Sequence, residues 1–269
     1  MKKQSLLWSI EHPNLAYTSY VFGTMHVQDL RAFEHFELAK SALARCDAFA
    51  TEFRLDEADP EKAAAHFALD DGLTLNEVLT RKQFEKADKF LTKRFKMSLN
   101  NFLFQKPLVV TNFLSGSILQ QEMQESLDES LFTHAKSLDK ILLGLETFEQ
   151  QLLVLDNISL KSQSKQLMSM VKNFKPHRKA IDKLTAHYIN GNILQLYKSS
   201  KKGMGKLRKP MLYDRNKIMT DRIDEIAQQQ SLFAGIGAAH LAGSKGVIRG
   251  LKGKGYIVKP VTAISSSDG

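Results

Sequence analysis

“YVFGTMHV”, residues 20–27, is a short β-prone run that closes on a glycine and, three residues on, a histidine. The phrase returns near the other end of the chain in “FAGIGAAHL”, residues 233–241. Gly23-Thr24-Met25-His26 and Gly237-Ala238-Ala239-His240 therefore share the pattern Gly-x-x-His, each at the end of an apolar run. A glycine at a strand's carboxyl end lets the backbone turn tightly, and the residues after it project from the edge where open α/β sheets bind ligands. The two contexts match further out. “LLWSIE” (6–11) and “TSYVFG” (18–23) read as strands around the turn signal “HPN”, followed by a helix in “DLRAFEHFELAKSALARC” (29–46) and a strand in “DAFATEF” (47–53). The closing stretch repeats strand, Gly-x-x-His, helix (“GSKGVIRGLKGKG”, 243–255) and strand (“YIVKPV”, 256–261). This suggests an internal two-fold relation, or at least two histidine-bearing strands lying side by side.

The expected fold is α/β: a mixed central sheet formed largely by N- and C-terminal strands, with a large helical middle segment at roughly 60–230 inside one domain, 1–269. The middle reads as helices, among them “PLVVTNFLSGSILQQEM” (107–123), interrupted by a brief strand in “KILLGLE” (140–146). No short-period repeat points to a solenoid.

Composition narrows the function classes. With 269 residues, 43% hydrophobic and 25% charged, the chain can bury a sizeable core. No apolar run reaches the ~20 residues of a membrane span. “MKKQSLLWSIEHPNLAY” lacks the long apolar region and cleavage site of a signal peptide, so a cytoplasmic location is expected, a removed leader staying open. The single cysteine, Cys46, excludes an internal disulfide and reads as a small core residue. The net charge of +9 is partly local: six basic and no acidic residues lie in “KSSKKGMGKLRK” (198–209), read as a solvated loop able to steer an acidic partner. Neither aromatic stacking residues nor a helix-turn-helix accompanies it, so no specific nucleic-acid partner is expected.

His26 and His240, projecting from neighbouring strands, could converge on one point, and Glu52 in “ATEF” could face the same edge. Two histidines and one carboxylate form a usual open set for a hydrolytic or redox divalent metal. For either histidine alone a hydrogen-bonded structural role is the default, and it is the matching copies that raise the pair; Glu52 could equally be a cap or an ion-pair partner. The other histidines show no His-x-x-x-His spacing, and there is no nucleophile elbow, phosphate loop or dinucleotide fingerprint.

“SYVFGTMHV”, “ATEF”, “LGLETFEQQL” (143–152), “YDRNKIMTDRI” (213–223) and “GIGAAHLAGSKGVIRGLKGKGYIVKPV” (235–261) together resemble the TraB/GumN family, which includes the Tiki-like proteases, over about Leu6 to Val261. The resemblance implies an α/β fold and a hydrolase, a peptidase in Tiki-like members, using Mn²⁺ or Co²⁺, with Zn²⁺ as a further option. It places His26, His240 and Glu52 at the metal and adds Glu146 and Arg215 as recurrent positions. Arg215 could stabilise an oxyanion or bind a substrate carboxylate, or it could pair with Glu146 or Glu52 to organise the core. One departure is “SLDES”, where Asp128 follows Ser126 and Leu127 in place of the family's Gly-x-Asp. The expected partner is a peptide or small-molecule substrate, with the oligomeric state left open. Two alternatives stay beside the metallopeptidase: a protein that sequesters a peptide or small ligand without turnover, and a metal-independent, esterase-like hydrolase.

Overall fold

The computed structural model describes residues 4–263. Six strands run through it: β1 (Leu7–Glu11), β2 (Ser19–Thr24), β3 (Ala48–Phe53), β4 (Ile141–Glu146), β5 (Leu232–Gly237) and β6 (Ile257–Val261). They form one sheet in the order β4-β3-β5-β2-β1-β6. β4, β3, β5 and β2 are mutually parallel, while β1 pairs antiparallel with both β2 and β6. The expected mixed α/β fold, with its sheet made mainly from the chain's two ends, is thus the fold observed. The two histidine motifs do lie on adjacent strands, with Thr24 opposite Gly237 in the β2–β5 register.

The helices are α1 (Phe36–Leu43), α2 (Pro60–Phe67), α3 (Leu75–Val78), α4 (Arg81–Phe95), α5 (Pro107–Gly116), α6 (Leu127–Ser137), α7 (Phe148–Asp156), α8 (Leu160–Lys172), α9 (Phe174–Ile189), α10 (Ile193–Met204), α11 (Arg215–Ala227) and α12 (Val247–Gly253). They are distributed over two compact units. Met1–Glu57, Gln120–Gln151 and Lys183–Gly269 make up one, which holds the whole sheet; Ala58–Leu119 and Leu152–Asp182 make up the other.

In the sheet unit both faces of the parallel strands are covered, as parallel sheets require. Side chains alternate by size. Phe22, Phe49 and Phe233 point to one face, with Phe49 and Phe233 stacked at 5.9 Å between centroids, and they pack on Ala39 and Leu43 of α1 and Leu131 and Ala135 of α6. Val21, Ala48, Ala50, Ala234 and Ile236 point to the other, where Met219 and Ile223 of α11 and Val247 and Leu251 of α12 close over them. Cys46 is buried on the aromatic side, and burial pushes its thiol up to about 12, out of reach of thiolate chemistry. The second unit is all-helical apart from an isolated bridge. Its core joins Leu91 of α4, Val110 and Leu114 of α5 and Leu167 and Val171 of α8, edged by Phe95 and Phe113 at 5.4 Å.

Three local expectations change. Residues 29–46 do not form one helix: Asp29 caps a 3-10 turn, Leu30–His35, before α1 starts. α5 stops at Gly116 instead of running to Met123. The basic run is not a loop. α10 extends to Met204, a 3-10 turn follows, and a π-helical stretch over Lys209–Asp214 leads directly into α11. Leu196 and Tyr197 anchor this helix, Lys198 and Lys202 stay exposed and Lys201 lies half-buried over the Tyr197 ring, so charge density did not prevent the fold.

Candidate functional site

The carboxyl ends of four adjacent parallel strands meet at one edge of the sheet. Thr24 ends β2, Gly237 ends β5, Glu52 is the penultimate residue of β3, and Glu146 ends β4. Glu52 points to the face covered by α11, whose first residue is Arg215. The Arg215 guanidinium donates from Nη2 to Glu52 Oε2 at 2.5 Å and from Nε to Glu146 Oε2 at 2.9 Å. The other Glu52 oxygen accepts from the Gly237 N–H at 2.8 Å, and Gln151 Nε2 adds a bond to Oε2 at 3.1 Å. Gly237 permits that approach because it has no side chain: a Cβ there would stand 3.1 Å from Glu52 Oε1 and 3.5 Å from His240 Cδ2. Its φ is −52°, so close approach, and not a left-handed turn, is what favours glycine here.

His240 lies in the 3-10 turn Ala238–His240, its side chain only 7% exposed. Its Nδ1 is 2.5 Å from Asn216 Oδ1, while Asn216 Nδ2 donates to the Lys245 carbonyl at 2.6 Å. Because the amide must turn its NH₂ to that carbonyl, its oxygen faces the ring, and Nδ1 carries the hydrogen. His240 Nε2 therefore presents a lone pair toward Glu52 Oε1, 3.8 Å away. Burial, reinforced by the Arg215 charge and opposed by Glu52, lowers His240 to about 4, so the ring is neutral at neutral pH. Burial works against the Glu52 anion too, but His240, Arg215 and the Gly237 N–H outweigh it and hold the carboxyl at about 2. Glu146, with 2% of its side chain exposed, is raised: burial and the nearby Glu52 exceed what Arg215 returns.

His26 turns to the opposite face, where α6 begins. Its Nδ1 lies 3.3 Å from Oγ of Ser126, the α6 N-cap, and 3.4 Å from Asp128 Oδ2 in the first turn. That Asp128 oxygen is buried and makes no hydrogen bond of ordinary geometry among the described residues. The His26 ring is 71% exposed, which leaves Nε2 open to solvent. Asp128, ahead of smaller attractions from Glu129 and Glu52, raises His26 above its ordinary value.

The structure thus joins Glu52, Glu146, Arg215 and His240 in one connected network, with His26 on the same sheet edge but bonded to another helix. Among the described residues no three His, Cys, Asp or Glu side chains converge as a metal-holding group. His240 Nε2 and Glu52 Oε1 could share an ion, yet Glu52 already serves three donors, one of them a guanidinium that would repel a cation. The residues as arranged do not fit a resident three-ligand metal. The sequence reading missed Asn216, which fixes the His240 tautomer, and gave Asp128 no role beyond a departure from a motif. Asn216 adjoins Arg215 in “YDRN”, but only the fold reveals which neighbour faces which histidine.

Fold and site define an α/β protein with a buried carboxylate–arginine–histidine network at the carboxyl edge of its parallel strands. The chain belongs to the TraB/PrgY/gumN family, whose family model matches residues 6–260. No curated protein and no solved structure matches it. No helix among the described residues is long and apolar enough to cross a membrane.

Proposed function

We propose that this protein is a hydrolase, with peptides as its substrate class, and that His240 and His26 form its base and acid. The observation that carries this reading is geometric: at adjacent strand ends, Asn216 fixes the His240 ring so that Nε2 stands 3.8 Å from Glu52 Oε1, while the His26 ring on the next strand is open to solvent. Burial lowers the first histidine as Asp128 raises the second. Groups pushed apart in this way are complementary at a single pH. Between about 4 and the raised value of His26, His240 is neutral while His26 holds its proton. A water donating to His240 Nε2 and Glu52 Oε1 would turn its lone pairs toward a bound carbonyl, and His26 Nε2–H would protonate the departing nitrogen. Asn216 and Asp128 orient the two rings, and Arg215 keeps Glu52 ionised and in place. A divalent ion would find two protein donors here, His240 Nε2 and Glu52 Oε1.

The test is a mixed peptide library incubated with the purified protein, with new termini read by mass spectrometry. New termini are expected, and His240→Ala should lower their rate by about 10²-fold or more. Peptides retained without new termini would replace the hydrolase by a sequestering protein, and an unimpaired His240→Ala variant would remove the assignment of the base. A chelation arm completes it: activity abolished by EDTA and restored by Mn²⁺ or Co²⁺ would give the gap between His240 Nε2 and Glu52 Oε1 to an ion instead of water.

A further inference from the structure

The residues between glycine and histidine in the two motifs line a cavity of about 220 Å³ beside His240. Met25 comes from the first motif and Ala238 and Ala239 from the second; Leu184, Tyr188 and Leu196 supply the remaining apolar walls. Tyr188 is fully buried and its hydroxyl donates to the Gly23 carbonyl at 2.9 Å, so its polar end is already satisfied. His240, neutral at neutral pH, is the only titratable side chain in the lining apart from that tyrosine.

We propose that this cavity is a specificity pocket that takes one uncharged side chain of the substrate, branched-aliphatic or single-ring. The occupant's being part of a peptide rests on the hydrolase reading above. The size follows from volume: a cavity of about 150 Å³ lined by carbon holds benzene, so the present one admits one such group with a little room beside it. The charge rule follows from the walls. The pocket opens to solvent and carries only the hydroxyl residues Thr24 and Ser200 as further polar lining, so a carboxylate or ammonium entering here would give up part of its hydration and meet no counter-charge. A glycine would leave the apolar walls wet. The small spacers of the second motif have a purpose on this view: Ala238 and Ala239 keep the volume open where any larger pair would fill it. His240 forms part of the wall, so a side chain bound here lies against the imidazole assigned as base, and the pocket selects residues near the bond to be cut.

Binding of N-acetyl amino acid amides tests this without requiring turnover. The probes are the amides of leucine, phenylalanine, glycine and aspartate, followed through the Met25 methyl and His240 ring signals by NMR. Leucine and phenylalanine amides are expected to shift both signals and to bind at least about tenfold tighter than the glycine and aspartate amides. Ser200→Phe, on the lining stretch of α10, and Ala239→Leu each add bulk to the cavity and should abolish that preference. If one of them fails to fold, the other decides. Equal binding of leucine and glycine amides, or a preference that survives the filled variant, overturns the pocket. The peptide library separates this from the hydrolase reading. Amides bound as expected with no peptide cut would keep the pocket and sink the hydrolase. Peptides cut with no enrichment of leucine or phenylalanine beside the cleaved bond would do the reverse.

Discussion

Arg215 sets one positive charge between two carboxylates in a place where water can do little for any of them, with its side chain 14% exposed and that of Glu146 2%. Burying three ionised groups is unfavourable unless each is met by hydrogen bonds of good geometry, and here the guanidinium serves Glu52 and Glu146 from different nitrogens. Removing the cation would leave the carboxylates facing one another. Arg215→Met is therefore expected to destabilise the sheet unit by about 3–5 kcal/mol in urea unfolding. Lysine cannot reproduce the fork, so Arg215→Lys should recover only part of that loss. Adding Glu146→Gln to Arg215→Met removes one of the stranded charges, and the double variant should unfold at higher urea than the single one. A double variant no more stable than Arg215→Met would mean that Glu146 is already protonated there, the direction in which burial pushes it.

The strand ends act as elements that fix where side chains may come close, and Gly23 and Gly237 show how. A Cβ on Gly23 would stand 2.7 Å from Leu241 Cδ1 and 3.0 Å from the backbone of Ala238, which ties the first motif to the turn of the second. Gly23→Ala should cost about 1–3 kcal/mol through overpacking, because backbone cannot yield as a flexible side-chain tip can. Gly203 near the end of α10 has nothing within 4 Å of its Cβ position, so Gly203→Ala should stabilise by about 0.5–1 kcal/mol through helix propensity. Opposite signs in denaturant titrations of the two variants are the expected result, and matching signs would contradict this account of the packing. β2 and β5 were legible because each closes its apolar run at a glycine and the two motifs repeat in context. Less legible were elements decided by what covers them. The lysines of 198–209 read as a loop because sequence shows charge but not the two anchors, Leu196 and Tyr197, that seat the helix. The division of the helical middle between two units had no punctuation at 119 or 182 to announce it. Which histidine would meet Glu52 also depended on the face: Glu52 and His240 turn toward α11, His26 toward α6.

For the whole molecule, these local shifts add up to a dependence of folding on pH, with Trp8 in β1, the single tryptophan, as its probe in the sheet unit. An unfolded chain would protonate His240 near its ordinary 6.5, whereas the folded chain resists until about 4. Between those values the unfolded state binds the extra proton, so stability falls as pH falls through that interval, by roughly 3 kcal/mol at most. Glu52 has the same sign lower down: its contribution is complete above its ordinary 4.5 and is lost as pH drops toward about 2. Glu146 works against them, since a carboxyl raised by folding favours the native state only while it keeps its proton, and this offsets part of the gain on rising above 4.5. His26 is also raised, so its stabilisation is complete below 6.5 and is lost as pH climbs through its folded value. The net expectation is a maximum near neutral pH, with the acid decline starting at about pH 6, well above the range where carboxylates alone would bring it on. Urea midpoints followed by Trp8 fluorescence from pH 3 to 9 measure this directly. In His240→Asn the interval between 6.5 and about 4 should flatten while the decline below 4.5 persists. A wild-type curve already flat from pH 6.5 to 5 would show that His240 is not held neutral by its burial, and the base assigned to it would lose its basis.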